Sequence, residues 1–362
     1  MLTLSYQPHL LHFKFEAGTS RGIMTERLVW FIFLTDVATG LCGIGEVAPL
    51  AGLSTDFLPD YSPEIEILSK KIQQERFHSA NEISQEWIEK QTKNLPALRF
   101  ALETAVLDLQ NGGKRLIYDN PFYHGSLSIP INGLIWMGNA AFMLQQIEEK
   151  LAAGFSCLKM KIGAIDFATE LNILASIRNR FSANEITLRV DANGAFTPSE
   201  AQEKLHALAN LGIHSIEQPI RPRQWEAMAA LCRHSPVPIA LDEELIGIDH
   251  VEAKKQLLET LRPAYIILKP SLVGGLNASA EWIALAEQMG IGWWMTSALE
   301  SNIGLNAICQ FTARYQPTLP QGLGTGQLYH NNINSPLTVK NGRMQYVANS
   351  PWASLQPPSA RG

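Results

Sequence analysis

Five ionisable residues stand at the ends of short apolar runs and recur at nearly even intervals. They are Lys161 in CLKMKIG, Asp191 in ITLRVDAN, Glu217 in HSIEQPI, Asp242 in VPIALDE and Lys269 in AYIILKP. The steps 161 to 191, 191 to 217, 217 to 242 and 242 to 269 are 30, 26, 25 and 27 residues. Taken singly, Asp191 and Asp242 could cap helices and Glu217 could accept hydrogen bonds from a loop. Capping residues have no reason to recur at one level of a fold, so the joint pattern points to a site. Three carboxylates converging from neighbouring strands cannot all stay ionised without a cation. An oxygen-only set with no Cys or His partner suits a hard divalent ion, Mg²⁺ ahead of Mn²⁺ as a substitute.

A sixth residue, Lys159, precedes Lys161 by two positions in LKMKIG. Strand side chains alternate between faces, so both lysines should point the same way. A lysine acts as a base only when neutral, which a reference pKa of about 10.4 opposes near pH 7. A like charge beside it, a divalent cation and partial burial each lower that value. The pair therefore reads as a device in which Lys159 tunes Lys161.

The elements that must hold these groups follow from the texture of the chain. From about residue 126, runs of four to seven apolar residues alternate with amphipathic stretches such as FATELNILASIRNRF, TPSEAQEKLHALANLG and SAEWIALAEQMG. Counting SIPINGLI, IGWWMTSALE and QGLGTG with the five runs above gives eight strand candidates, hence βα units and a parallel sheet closed into a barrel. An open doubly wound sheet is the alternative, but it lacks a G-x-G-x-x-G after the first strand. In a βα barrel chemistry sits at the C-terminal strand ends, where the five groups lie. Residues 1–125 read as α+β: strands LTLSYQ, HLLHFKFE and RLVWFIFLTD, then helical patterns from about Ser62 to Asn111. After residue 326 the chain, 327–362, is expected to pack back on the N-terminal unit through LTVK and RMQYV.

Bulk composition narrows the function classes. A net charge of −5 over 362 residues, with no basic stripe, offers no footprint for nucleic acid. No apolar run approaches the roughly 18 residues of a membrane span. The start MLTLSYQPHLLHFKF reads as an alternating strand instead of a signal peptide, and Cys42, Cys157, Cys232 and Cys309 form no C-x-x-C pair. A cytoplasmic location with free thiols is the expectation.

K-M-K, VDANG, IEQP, LDE and LKP at these intervals resemble the enolase superfamily, in its muconate-lactonizing-enzyme-like branch. SRG (20–22) and GEVAPLAGLS (45–54) resemble the loops of that family's capping domain. WWMTSALESNIGLNAICQF (293–311) resembles the o-succinylbenzoate synthase family of menaquinone biosynthesis. The resemblance implies a (β/α)7β TIM-like barrel over residues 126–326, under an α+β capping domain of residues 1–125 that the C-terminal segment completes. It implies a Mg²⁺-dependent lyase that dehydrates a small carboxylate, 2-succinyl-6-hydroxy-2,4-cyclohexadiene-1-carboxylate. Asp191, Glu217 and Asp242 would hold the metal. Lys161 would take the α-proton and return it to the departing hydroxyl, and Lys269 would stabilise the enediolate from the opposite face.

By the same resemblance Arg189, Asn193, Ser297, Glu300 and Gly324, together with Lys159, would stand at the substrate. Gly326, with Gly324, would give the last strand's loop room for a substrate carboxylate, and Arg21 and Leu53 are weaker candidates from the capping loops. Three other readings use parts of the set. Racemisation of an N-acylamino acid or epimerisation of a dipeptide needs the same two lysines, but GLGTGQLY offers no carboxylate for a substrate ammonium. A glycosidase could use Glu217 and Asp242 alone, leaving the lysines idle. A non-catalytic binding barrel would need none of the five groups.

Overall fold

The computed structural model describes residues 1–19 and 22–358, so the candidate Arg21 lies outside the described residues. Strands β1 (Leu2–Thr19), β2 (Gly22–Asp36) and β3 (Cys42–Val47) form an antiparallel sheet in that order, followed by helices α1 (Ser62–Glu75), α2 (Gln85–Gln91) and α3 (Pro96–Gln110). The two strands expected over residues 2–16 are one, with a register shift between His12 and Ala17. Pro8 does not interrupt it because β1 is an edge strand.

The run VWFIFL reads as continuously apolar because β2 is covered on both faces. Trp30, Ile32 and Leu34 pack with Ile65, Leu68 and Leu102 of the helices, whereas Val29, Phe31 and Phe33 pack with Trp136, Ile303 and Tyr329 of the barrel side. Strand β3 lies directly on α3. A Cβ on Gly43 would stand 2.0 Å from the Ala105 carbonyl oxygen, and one on Gly45 1.9 Å from that of Ala101. Gly45→Ala is therefore expected to destabilise the fold by about 3 kcal/mol, at the upper end of overpacking costs, because a helix carbonyl cannot move aside. Urea unfolding checks this; an unchanged midpoint would show that β3 shifts freely.

Beyond β4 (Ile129–Pro130), seven parallel strands follow: β5 (Gly133–Ile135), β6 (Cys157–Lys161), β7 (Thr187–Asp191), β8 (Ser215–Glu217), β9 (Ile239–Leu241), β10 (Tyr265–Leu268) and β11 (Gly292–Met295), each hydrogen-bonded to the next. Helices α4 (Ala140–Ala152), α5 (Phe167–Arg178), α6 (Pro198–Ala209), α7 (Trp225–His234), α8 (Val251–Leu261), α9 (Pro270–Val273) and α10 (Gly275–Gln288) alternate with them, and α11 (Asn302–Ala313) follows the last. Caps begin several of these: Asn139 Oδ1 accepts from Phe142 N, and Thr197 and Glu200 form a capping box.

The eighth strand expected at QGLGTG is reduced to single bridges. Gln321 N donates to Pro130 O (2.8 Å) and Asn132 N to Gln321 O (2.9 Å), while Gly322 N donates to Met295 O (2.7 Å). These bonds join β11 back to the first strand, so the α/β fold is a closed, TIM-like barrel. Only glycine fits at 322, where a Cβ would meet Thr296 Oγ1 at 1.9 Å.

LTVK and RMQYV form the hairpin β12 (Leu337–Lys340) and β13 (Arg343–Tyr346). Strand β13 pairs with β4 of the barrel, and Tyr346 packs against Phe122 and Tyr123 at the end of the N-terminal unit. The return to the N-terminal sheet is made by neighbouring residues. Lys14 N donates to Leu328 O, His330 N donates to His12 O, and Trp352 packs against the cluster holding Leu11 and Phe13. The four cysteines are free thiols, and among the described residues no helix is long and apolar enough to cross a membrane.

Candidate active site

Register brings the charged residues together. Lys161 on β6 is paired across to Asp191 on β7, and Asp191 to Glu217 on β8, so these three share one row. Glu217 pairs with Ala240, which places Asp242 two residues beyond that row, and Lys269 follows β10. The turns after the strands are tight. Asn193 and Gln218 adopt left-handed backbone (φ 43° and 40°) directly behind Asp191 and Glu217. Their side chains then organise the mouth. Asn193 Oδ1 accepts from Lys161 Nζ (2.7 Å) and its Nδ2 donates to Glu243 Oε1 (2.9 Å), while Gln218 Oε1 accepts from the amides of Asp242 and Glu244.

Every charge is compensated by a neighbour. Lys159 Nζ donates to Asp191 Oδ2 (3.0 Å) and Glu217 Oε2 (2.7 Å), Lys161 Nζ to the same Asp191 Oδ2 (3.0 Å), and Lys269 Nζ to Asp242 Oδ2. All six side chains are buried. Burial alone would raise the Asp191 carboxyl, but the ammonium groups of Lys159, Lys161 and Lys269 override it and hold it well below the usual carboxylate range. Burial likewise works against the charge on Lys159, and the carboxylates of Asp191 and Glu217 reverse it, keeping this amine ionised. Glu217 is the least compensated. Burial and the adjacent Asp191 push it above the usual range, and its buried Oε1 has no hydrogen-bond partner among the described residues.

Lys159, Lys161, Asp191, Glu217 and Lys269 floor a cavity of about 290 Å³, with Asp242 just outside its lining. Strands β6 and β10 stand four positions apart around an eight-position ring, so Lys161 and Lys269 face one another across it, with the three carboxylates on or just beyond the strands between. Apolar side chains of the N-terminal unit, Phe15, Met24, Leu50 and Leu53, close one side, and Ser297, Leu299 and Gly324 form the wall after β11. The arrangement can take a proton on one face of a small carboxylate while placing a second cation on the other.

A sequence model of the family described as enolase C-terminal domain-like matches residues 143–351. The o-succinylbenzoate synthase of Desulfotalea psychrophila is 49% identical over 94% of this chain and 98% of its own length. The chain belongs to the enolase superfamily, in the o-succinylbenzoate synthase family. The crystal structure of MenC from the same organism superposes with a TM-score of 0.83 at 46% identity, covering 95% of this chain and 99% of that one. A dipeptide epimerase from Enterococcus faecalis shares the fold at 21% identity, with a TM-score of 0.79 over 95% of this chain and 96% of that one. Enzymes of this superfamily use a divalent metal.

Within this o-succinylbenzoate synthase fold, Lys159, Lys161, Asn193, Ser297, Gly324 and Leu53 line the cavity with Asp191, Glu217 and Lys269. Four other described candidates do not. Asp242 stands behind Lys269, whose Nζ donates to its Oδ2. Arg189 pairs with Lys159 in register, roughly 7 Å deeper than Asp191 at the strand rise of about 3.3 Å per residue. Its guanidinium stacks 4.0 Å over the Trp294 ring and donates to Pro320 O (2.7 Å) in the barrel interior. Glu300 turns away from the cavity and accepts from Ser271 Oγ. Gly326 also lies off the cavity, against the Asn302 side chain.

The tuning of Lys161 by Lys159 is not built here as a bare like-charge contact, since Asp191 Oδ2 stands between the two amines. Among the described residues no group of three or more His, Cys, Asp or Glu side chains is arranged to hold a metal. The Lys159 and Lys269 ammonium groups stand among the carboxylates instead. The orphaned Glu217 Oε1 is nonetheless an anionic donor lacking a counterpart, as a hard-cation site requires.

Sequence reasoning passed over Arg27 and Glu46, both buried polar residues of the N-terminal sheet. For Glu46 a signal was present, a carboxylate in an apolar CGIGEV strand. For Arg27, flanked by Glu26 and Leu28, there was none.

Proposed function

We propose that this chain is a lyase that converts 2-succinyl-6-hydroxy-2,4-cyclohexadiene-1-carboxylate to o-succinylbenzoate and water, in the cytosol, as a step of menaquinone biosynthesis. The observation that carries this reading is the pair of lysines opposed across one cavity with three carboxylates between them. Lys161 takes the proton α to the ring carboxylate and returns it to the hydroxyl leaving from the same face. One C–H and one C–O bond break, one C=C bond forms and water departs, with ring aromatisation driving the step. Lys269 holds the developing negative charge from the other face.

Asp191, Glu217 and Asp242 would hold Mg²⁺, or Mn²⁺ in its place. When bound, that ion would supply Lewis-acid stabilisation of the charge that develops on the substrate carboxylate. Lys159 would have to give up its place between Asp191 and Glu217 as the ion enters. Residues 1–125, with the returning segment 327–362, act as a cap on the barrel of residues 126–326; the apolar side chains they send into the cavity support this.

The test follows loss of the substrate's absorbance with Mg²⁺ and then with excess chelator. Rapid loss that stops on chelation is the expected result; no loss in the presence of Mg²⁺ rejects the reading. The same opposed lysines favour one second activity, racemisation of N-acylamino acids, one amine taking the α-proton and the other returning it. The wall from 322 to 328 presents no carboxylate for a free substrate ammonium, so acylated substrates are the ones to try. Exchange of their α-proton in D₂O without dehydration of the cyclohexadiene would put this reading first.

A further inference from the structure

We propose that Arg27 and Glu46, which touch neither substrate nor metal site, are positioning residues that clamp the loop of residues 296–301 into the shape the cavity wall requires. The proposal rests on the dehydratase reading of the site. The loop connects β11 to α11 and supplies Ser297, Ala298 and Leu299 to the cavity beside Lys269. It does not adopt this shape by local preference. Leu299 has φ 66°, a left-handed conformation that a branched side chain rarely occupies and that persists only where surrounding contacts over-determine it.

Those contacts come largely from outside the loop. Arg27, on β2, ties the loop to the backbone just after β3, one guanidinium nitrogen donating to Ala298 O and the other to Ala48 O. Glu46, on β3, accepts from Ser301 N (2.8 Å), Ser301 Oγ (2.6 Å) and Gly304 N (2.8 Å), so its carboxylate caps α11 from the neighbouring unit. Tyr329 Oη donates to Leu299 O (2.6 Å), completing the hold on the strained residue. Inside the loop, Ser297 Oγ accepts from Leu299 N (2.9 Å) and from Thr325 Oγ1 (2.7 Å), which ties the cavity-facing serine to the same geometry.

Two glycine requirements fit the clamp. The close approach of Gly43 and Gly45 to α3 sets the depth of β3, and with it the aim of Glu46. A Cβ on Gly304 would stand 3.0 Å from Glu46 Oε2 and 2.8 Å from the Glu300 Cβ. The clamp also touches the other side of the site. Glu300, inside the loop, accepts from Ser271 Oγ, two residues after Lys269. Neither Arg27 nor Glu46 lines the cavity, so any effect on catalysis passes through the loop.

The experiment compares wild type, Arg27→Met, Arg27→Lys and Glu46→Gln with Mg²⁺, reading kcat and KM, the Kd of o-succinylbenzoate by titration, and Tm. For Arg27→Met and Glu46→Gln, KM and product Kd are expected to rise by about tenfold while kcat stays within about threefold, the pattern of lost uniform binding. Arg27→Lys, which keeps a cationic donor, is expected to recover part of that loss. A lower Tm with unchanged KM and product Kd would overturn the proposal and leave the two residues a role in stability alone. Should Glu46→Gln fail to fold, the Arg27 pair decides by the same criterion. Inactive wild type would reject the dehydratase reading, whereas active wild type with unaltered variants rejects only the clamp.

Discussion

Lys161→Ala is expected to lower kcat by on the order of 10³–10⁴, the scale of a lost general acid–base group, with the fold intact. The fold should survive because Asp191 keeps Lys159 as a partner when Lys161 is removed, and Asn193 retains its bond to Glu243. Lys269→Ala is expected to be comparably inactive but less stable. Among the described residues Asp242 has its ion pair with Lys269 alone, so truncation leaves a buried carboxylate uncompensated. Steady-state kinetics with thermal melts of both variants test the pair of assignments. Retention of more than a few per cent of activity would remove the acid–base role of Lys161 or the charge-stabilising role of Lys269, according to the variant that retains it. Equal melting temperatures would show that Asp242 finds another partner.

The second large effect concerns Lys159. In the arrangement seen here its ammonium compensates both Asp191 and Glu217. Lys159→Met keeps the length of the side chain and removes that charge, leaving two adjacent buried carboxylates with less cation between them. Breaking a buried pair in this way costs about 3–5 kcal/mol, which for a chain of this size is a fall in Tm of roughly 4–7 °C. The loss should be largest in chelator and mostly recovered in Mg²⁺, because a divalent ion supplies the missing charge. Melting curves of wild type and variant under both conditions provide the measure. A Tm difference that is the same with and without Mg²⁺ would mean that Lys159 is not the counter-ion of the empty carboxylates.

Much of this protein is written locally. Apolar runs of strand length, separated by amphipathic stretches and repeated at steps of 25 to 30 residues, determine βα units and hence the barrel. The residue ending each run falls at the barrel mouth because parallel strands share a direction, which is why Lys161, Asp191, Glu217, Asp242 and Lys269 could be named from spacing. The RLVWFIFLTD run was likewise legible as a strand, while its cover on both faces came from the packing of the helices and the barrel.

What the tertiary structure decided is depth, aim and closure. Period-two alternation puts Arg189 on the same face as Asp191 but not at the same height, and the pleat below the mouth belongs to Trp294 and the barrel interior. Lys159 stands at that same lower level, yet its flexible stem reaches the carboxylates that Arg189 does not. Whether Glu300 faces substrate depended on the left-handed turn at Leu299, which contacts more than 250 residues earlier in the chain hold in place: Ser301 to Glu46 spans 255 residues. The eighth strand shrank to two bridging residues, and the C-terminal hairpin chose β4 over the N-terminal sheet. Local sequence specifies the face a side chain takes. It does not specify which distant backbone groups will be available to pair with, because those are set only when the barrel closes.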